Sequence, residues 1–420
     1  MSVISHFKAL SQIPHCSSQA DGMKAYLIEK AGEYGYEALD DRAGNILCRK
    51  NGAVITLQSH YDMVCIGKAP VLKFEERDGW LYAKDSTLGA DNGIGMAMML
   101  SLMEEGAVAD MLFTADEEIG LLGARALALP LKTSFLLNLD SEDEGVVTIG
   151  CAGGVDIIVS LPIVSKSRVL FCYEIEKSGF AGGHSGVDID KNIPNAIKEL
   201  AALLDSFEDM FLISFEGGER RNSIAKHAVA VVGFEQERTI AGAKPLGRRD
   251  VEAVEPGLVP MLHAFAHGVR SFNRKLNTVQ TSINLAIVEQ NEKEFRIHLS
   301  ARSMDRDELL QLQKETIAYF ENFGGSVKTE GFYAPWEPES GAFVKEVIRI
   351  SHKVLGSAEA GAIHAGLECG IIKEKFPHME MASLGPTIRY PHSTRECVDL
   401  ASVDRIFSVV KKICEHYYNG

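Results

Sequence analysis

Ala53-Val54-Ile55-Thr56-Leu57-Gln58-Ser59 runs straight into His60-Tyr61-Asp62. The run is short and rich in β-branched residues, the pattern of a strand. Similar runs follow at Met111–Ala115, Ser134–Leu139, Val146–Ile149 and Val155–Leu161. Between them, Asn92–Leu102 is apolar, Met-rich and Gly-containing and predicts a buried helix. Ile119–Leu129 suits a second helix, closed by Pro130. Near-continuous apolar strands separated by helices predict an α/β fold, with a mostly parallel sheet covered by helices on both faces.

After about Leu161 the pattern changes. Val169–Glu176, Phe211–Phe215, Ala228–Phe234, Thr278–Val288 and Glu294–Arg302 read as strands. Ile193–Phe207, Met261–Arg270 and Asp305–Phe323 read as helices, and the polar stretch Glu235–Pro260 as a connection with little regular structure. Strand–helix–strand groups with antiparallel hairpins predict a smaller α+β domain inserted into the first. Tyr333–Ser340 is the expected return linker, and the strand Glu380–Leu384, between two helical stretches of the tail, can complete the first sheet. The expected division is 1–165 and 335–420 for the α/β domain and 166–334 for the insert.

A chain of 420 residues is long enough for two domains, and 46% hydrophobic with 24% charged residues is a globular composition. A net charge of −15 argues against a nucleic-acid surface. No apolar run approaches the ~20 residues of a membrane span, and no signal peptide is expected. The eight cysteines form no C-x-x-C pair, so they are expected to be reduced, mostly buried thiols of a cytoplasmic protein.

Metal-type ligands recur beside turns. Ala53–Ser59 ends in His60, Met111–Ala115 in Asp116-Glu117-Glu118, and Ser134–Leu139 in Asp140; Glu380–Leu384 is followed by a loop carrying His392. Open parallel sheets bind ligands at the carboxyl ends of their strands, so these groups converge on one rim. The period of two puts Asp62 on the same side as His60, placed to orient it. Asp91, alone an N-cap, can in this company bridge two cations. Of the adjacent Glu117 and Glu118, one can serve as ligand and the other as general base; the triplet does not say which. Gly93-Ile94-Gly95 lacks the third glycine of a dinucleotide fingerprint, Met98 standing there. His263 and His267 stand four apart without the Glu of H-E-x-x-H, Ser185 lacks a G-x-S-x-G setting, and Glu142, Asp143 and Glu144 read as a solvated loop.

The segments S-H-Y-D-M-V, T-L-G-A-D-N-G-I-G-M-A, F-T-A-D-E-E-I-G, L-N-L-D-S-E-D-E-G, G-G-H-S-G, H-A-G-L-E-C-G and G-P-T-I-R-Y-P-H-S resemble, in order, those of the aminoacyl-histidine (Xaa-His) dipeptidases. These belong to the co-catalytic zinc peptidases that include tripeptide aminopeptidases, glutamate carboxypeptidases and succinyl-diaminopimelate desuccinylases. The resemblance implies a zinc-peptidase catalytic domain with an inserted lid through which the chain forms a homodimer. It implies two divalent metal ions, Zn²⁺ with Mn²⁺ or Co²⁺ as substitutes. His60, Asp91 and Asp140 would hold one, and Asp91, Glu118 and His392 the other. Asp62 would orient His60 and Glu117 would be the base. His184 and Asn222 would bind the substrate carbonyl, Arg302 its carboxylate, and His364 and Glu368 would line the pocket. The implied reaction is hydrolysis of the peptide bond of dipeptides, with an N-acyl amino acid deacylase as the alternative. A catalytically silent binding homologue would lack a ligand or the base, and all six positions are filled. Ala225 stands where many relatives have Pro, and the chain is short for an aminoacyl-histidine dipeptidase.

Overall fold

The computed structural model describes residues 1–254 and 257–419. The chain divides into two compact units. The first comprises Met1–Cys151, Trp336–Ala362 and Leu367–Gly420, and the second Ala152–Pro335 with Ile363–Gly366. The first boundary therefore precedes the one expected at residue 165. Gly153–Pro162 pairs along its whole length with Glu294–Ser303 of the second unit, so that strand belongs there. The separate return of residues 363–366 had no counterpart in the sequence reading.

The first unit is built on an eight-stranded sheet. In spatial order its strands are Glu37–Asp40, Ile46–Arg49, Asp110–Thr114, Ile55–His60, Phe135–Asn138, Glu380–Ser383, Val146–Cys151 and Glu359–Ile363. The four central strands, from Asp110–Thr114 to Glu380–Ser383, are parallel, and antiparallel strands flank them. Every residue of Ile55–His60 and of Asp110–Thr114 is buried. Successive side chains of a strand point to opposite faces, so both faces of this sheet are covered. Register aligns the carboxyl ends: His60 lies opposite Thr114, and Gln58 opposite Asn138. The turns after these strands consequently leave from one rim.

Helix Ala90–Glu104 packs on strand Ile55–His60 and on helix Val3–Leu10. It is apolar around nearly its whole circumference, and from Ala90 to Met103 only Asp91 is not buried. Its glycines are close-packing devices. A Cβ at Gly93 would meet the Phe7 ring at 2.7 Å, and one at Gly95 would meet Ser59 Oγ at 2.9 Å. Ile119–Leu129 is helical only over Leu122–Ala126, because the turn before it carries Leu121 at φ 60° and Gly123 packs on Ala115. A small sheet of Phe74–Arg77, Trp80–Ala83, Cys397–Asp399 and Ile388–Arg389 holds the loop 390–396 between its last two strands in chain order.

The second unit is a nine-stranded sheet, and its strand pairings are antiparallel. Helices Ala196–Asp205 and Arg306–Glu321 begin at the side-chain caps Asn195 and Asp305. Leu200, Leu204, Leu309, Leu312 and Phe320 belong to the unit's buried core. Part of the polar stretch read as irregular is the strand Lys244–Val254, and helix Leu258–Ala264 begins within it. Residues 255 and 256 of that stretch lie outside the described residues. The helix expected over Met261–Arg270 gives way to the strand Gly268–Asn273.

Cys16 and Cys65 form a disulfide, with Cα atoms 5.6 Å apart, which corrects the expectation of thiols alone. The two stand 49 residues apart in sequence and meet only because the loops that carry them do. The other cysteines are free and buried. No helix among the described residues is long and apolar enough to cross a membrane.

Gly93→Val is expected to destabilise the chain by about 1–3 kcal/mol through overpacking against Phe7. A fall in the denaturant midpoint at constant m-value would record it. An unchanged midpoint would mean that the helix–helix contact does not require glycine.

Candidate metal centre

His60 is the last residue of its strand and is 1% exposed. Its Nδ1 lies 3.0 Å from the backbone carbonyl of Asp62 and 3.5 Å from that residue's Oδ1. A carbonyl only accepts, so Nδ1 carries a proton and donates it there. Burial disfavours the charged ring, but Asp140, Asp62 and Asp91 hold it well above its usual value, so Nε2 also carries a proton that it must lose to ligate a cation. Nε2 faces Asp91 Oδ1 at 3.1 Å and Asp140 Oδ1 at 3.4 Å.

The other oxygen of Asp91, Oδ2, lies 3.0 Å from His392 Nε2. His392 in turn stands 3.0 Å from Glu118 Oε1 and 2.9 Å from Oε2. It sits in the 390–396 loop with φ 55°, close to Tyr390 at φ 54°. One carboxylate thus divides its oxygens between two imidazoles. Among the described residues three donor groups emerge, each within 4.8 Å: His60, Asp91 and Asp140; Asp91, Glu118 and His392; and His60, Glu117 and Glu118.

Asp62 does more than the sequence indicated. It steadies the His60 ring chiefly through its backbone carbonyl. Its carboxylate accepts the N–H of Glu117 at 2.9 Å and of Glu118 at 3.3 Å, and the Ser17 hydroxyl at 2.7 Å. It thereby holds the turn that carries both glutamates. That turn starts from Asp116 at φ 51°, whose Oδ1 accepts the Ser18 N–H. Asn92, unremarked in the sequence, donates from Nδ2 to Asp140 while its Oδ1 accepts from Ser59 Oγ at 2.6 Å. Its signal was its place directly after Asp91.

The electrostatics of the cluster are strained. Burial, opposed by His60, and the neighbouring carboxylates Glu118, Asp140 and Glu368 hold the Glu117 carboxyl well above its usual range. Burial and Asp91 push Glu118 up to about 7, with His392 opposing. Asp140 is likewise raised, first by burial. Asp91 moves the other way, because its bonds to His392 and His60 outweigh its burial. Hydrogen bonds to Asp91 and Glu118 overcome burial and raise His392 to about 12. Acids this crowded call for positive charge among them.

The donor set fits divalent cations. A tetrahedral ion with bonds of ~2.1 Å separates its ligand atoms by roughly 3.4 Å. The separations His60–Asp91, His60–Asp140, His392–Asp91 and His392–Glu118 run from 2.9 to 3.4 Å. Imidazole nitrogen with carboxylate oxygen is a borderline set that suits zinc and its first-row neighbours.

Glu368, expected to line a pocket, is 0% exposed, and its Oε2 accepts from Gln58 Nε2 and Thr114 Oγ1, each at 2.6 Å. It ties two adjacent strands of the sheet, and its carboxylate stands near enough to Glu117 to raise it. Glu142 is half-buried, with its carboxyl pushed up to about 8 by burial and by Asp91 and Asp140, so it is not the solvated acid expected. Asp143 and Glu144 pair with Arg389 and Arg405.

His184, Asn222, Arg302 and His364 belong to the second unit. His184 Nδ1 accepts the N–H groups of Gly186 and Val187 at 3.2 and 3.3 Å, which leaves the proton of the neutral ring on Nε2. Asn222 accepts the Ser185 N–H through its backbone carbonyl, tying its loop to that of His184. Arg302 is 8% exposed and donates to the Tyr333 hydroxyl at 3.1 Å. His364 Nε2 meets the Ser282 hydroxyl at 2.7 Å, and Ser282 is the cross-strand partner of Arg302. His263 and His267 do separate work: the first pairs with Asp205, and the second accepts the Leu285 N–H.

Comparison with known proteins agrees with this chemistry. The sequence model of peptidase family M20/M25/M40 matches residues 56–416. The chain is 31% identical to a protein named cytosol non-specific dipeptidase from Escherichia coli (strain K12), over 97% of this chain and 96% of that protein. It is similar to the crystal structure of an aminoacylhistidine dipeptidase from Vibrio alginolyticus, with TM-score 0.78 and 27% identity, covering 98% of this chain and 96% of that one. A tripeptidase from Staphylococcus aureus shares the fold at TM-score 0.61 and 18% identity, covering 100% and 98%.

Cation affinity is expected to depend on pH in a fixed direction. Glu118 keeps its proton up to about 7 and must lose it to act as a ligand. The Glu118 proton alone makes apparent affinity fall roughly tenfold for each pH unit below that point, and the proton that His392 must also lose steepens the fall. In the metal-free chain the same group, raised from 4.5, binds its proton more tightly folded than unfolded, so acidification from 7 toward 4.5 stabilises the fold. Chelator competition across this range measures the first effect, and a pH-independent affinity would contradict it.

Proposed function

Because the chain belongs to peptidase family M20/M25/M40, we infer that it is a metal-dependent hydrolase that cleaves the peptide bond of dipeptides at the Asp91 cluster. The observation that carries this reading is the division of Asp91, one oxygen toward His60 and the other toward His392. A carboxylate so placed suits a pair of cations sharing one bridging ligand.

In this reading His60, Asp91 and Asp140 hold one cation, and Asp91, Glu118 and His392 the other. Zn²⁺ is the proposed ion, with Mn²⁺ or Co²⁺ able to replace it. The bound cations supply Lewis acidity, lowering the pKa of a water and polarising the scissile carbonyl. Glu117 takes the proton from the attacking water at its carboxylate and returns it to the leaving amine. Its position in the turn pinned by Asp62, and a carboxyl held above its usual range, support that role. Glu118 is the ligand of the pair because both its oxygens reach His392. His184, as an Nε2–H donor, and Asn222 are assigned to the substrate carbonyl, and Arg302 to the substrate carboxylate. His364, whose Nε2 meets the Ser282 hydroxyl, is assigned to the lining of the pocket. The second unit is the proposed dimerisation domain, and the cytoplasm the proposed location. The name of the Escherichia coli relative supports that location.

Substitution separates the roles. Glu117→Ala should retain cations while turnover falls ~10²–10⁴-fold, and Asp91→Ala should lose cations outright. Metal analysis beside dipeptide turnover reads both, and an active Glu117→Ala would remove the base assignment. A substrate panel tests the reaction class. Free dipeptides, Xaa-His among them, should be cleaved in preference to N-acetyl and N-succinyl amino acids. The reverse preference would make the chain a deacylase.

A further inference from the structure

Helix Ala90–Glu104 starts without a side-chain cap from its own N-cap residue, Gly89, which takes the left-handed conformation at φ 69°. Asp91 and Asn92, one residue further, depart from helical geometry. The first N–H groups of a helix lack intrahelical partners. Here a residue more than 300 positions later supplies them. Glu396 is 2% exposed. Its Oε2 accepts the N–H of Leu88 at 2.7 Å and of Gly89 at 3.1 Å. Its Oε1 accepts the N–H of Ala90 at 2.8 Å and of Asp91 at 3.4 Å.

Glu396 itself is firmly held. Its N–H bonds to the Ser393 carbonyl, and the next residue opens strand Cys397–Asp399, which pairs with Trp80–Ala83. The same loop carries His392, which meets Asp91 Oδ2 at 3.0 Å. One short segment therefore grips Asp91 twice, at the carboxylate through His392 and at the backbone through Glu396.

We propose that Glu396 is a positioning residue for the metal centre: it gathers the Leu88–Asp91 amides and so fixes the turn that aims the two Asp91 oxygens at His60 and His392. It touches neither cation nor substrate, and its effect passes through Asp91. The proposal rests on the two-cation reading of the site.

The test uses the full chain loaded with Co²⁺ or Zn²⁺. Glu396→Gln keeps the shape of the side chain but turns an NH₂ toward amide donors, and Glu396→Ala removes the acceptor entirely. Asp305→Ala, which removes the cap of helix Arg306–Glu321 in the second unit, controls for general loss of stability. Cation affinity by chelator competition should fall ~10–100-fold in both Glu396 variants and stay unchanged in Asp305→Ala. The visible spectrum of the Co²⁺ form should shift in Glu396→Gln, and kcat should fall while KM stays within about threefold. Should Glu396→Ala fail to fold, Glu396→Gln carries the test alone. The proposal is overturned if Glu396→Gln binds cations as the parent does, with an unchanged Co²⁺ spectrum, and loses only thermal stability as Asp305→Ala does. A parent chain that binds fewer than two cations would instead remove the two-cation reading, and the proposal with it.

Discussion

The sharing of one carboxylate between two imidazoles is the constraint around which the first unit is organised. Asp91 stands 31 residues from His60 and 301 from His392, so the contact forms only when a central strand, a buried helix and a late loop are all in place. The Glu117 and Glu118 turn and Asp140 enter from neighbouring strand ends on the same rim. Packing so many acids together costs free energy in the absence of cations, and the raised Glu117, Glu118 and Asp140 carboxyls record that cost.

Beneath the ligands lies a second set of carboxylates whose partners are backbone amides. Asp62 collects the N–H groups of Glu117 and Glu118, and Glu396 those of Leu88 to Asp91. Each fixes a turn rather than a side chain, and each turn carries a residue of the cluster. A carboxylate that accepts several amides at once fixes the course of the backbone, which holds a ligand in place against the repulsion of its neighbours. The Cys16–Cys65 bridge adds to the same support, because the Ser17 hydroxyl beside it donates to Asp62 and the Ser18 N–H donates to Asp116.

Much of this was legible from the chain. The β-branched runs before His60, Asp116 and Asp140 mark buried parallel strands, and ligands at their carboxyl ends converge by topology alone. Two kinds of feature were hidden. Lys244–Val254 is mostly exposed and polar, so its strand character comes from backbone pairing with Ser165–Lys177 and leaves no apolar alternation to read. The tasks of Asp62, Glu368 and Glu396 depend on which amides and hydroxyls surround a buried carboxylate. Pairing of Cys16 with Cys65 depends in the same way on where two loops meet, which spacing does not encode. The resemblance to Xaa-His dipeptidases assigned Glu117 and Glu118 different roles. Both Glu118 oxygens contact His392, while Glu117 stands with Glu118 and His60 in a second donor group.

Anomalous diffraction from crystals of the zinc-loaded chain addresses the Asp91 bridge most directly. The account predicts two anomalous peaks, one between Asp91 Oδ1 and His60 and the other between Asp91 Oδ2 and His392. A single peak, or peaks that leave Asp91 bound on one side only, would contradict it.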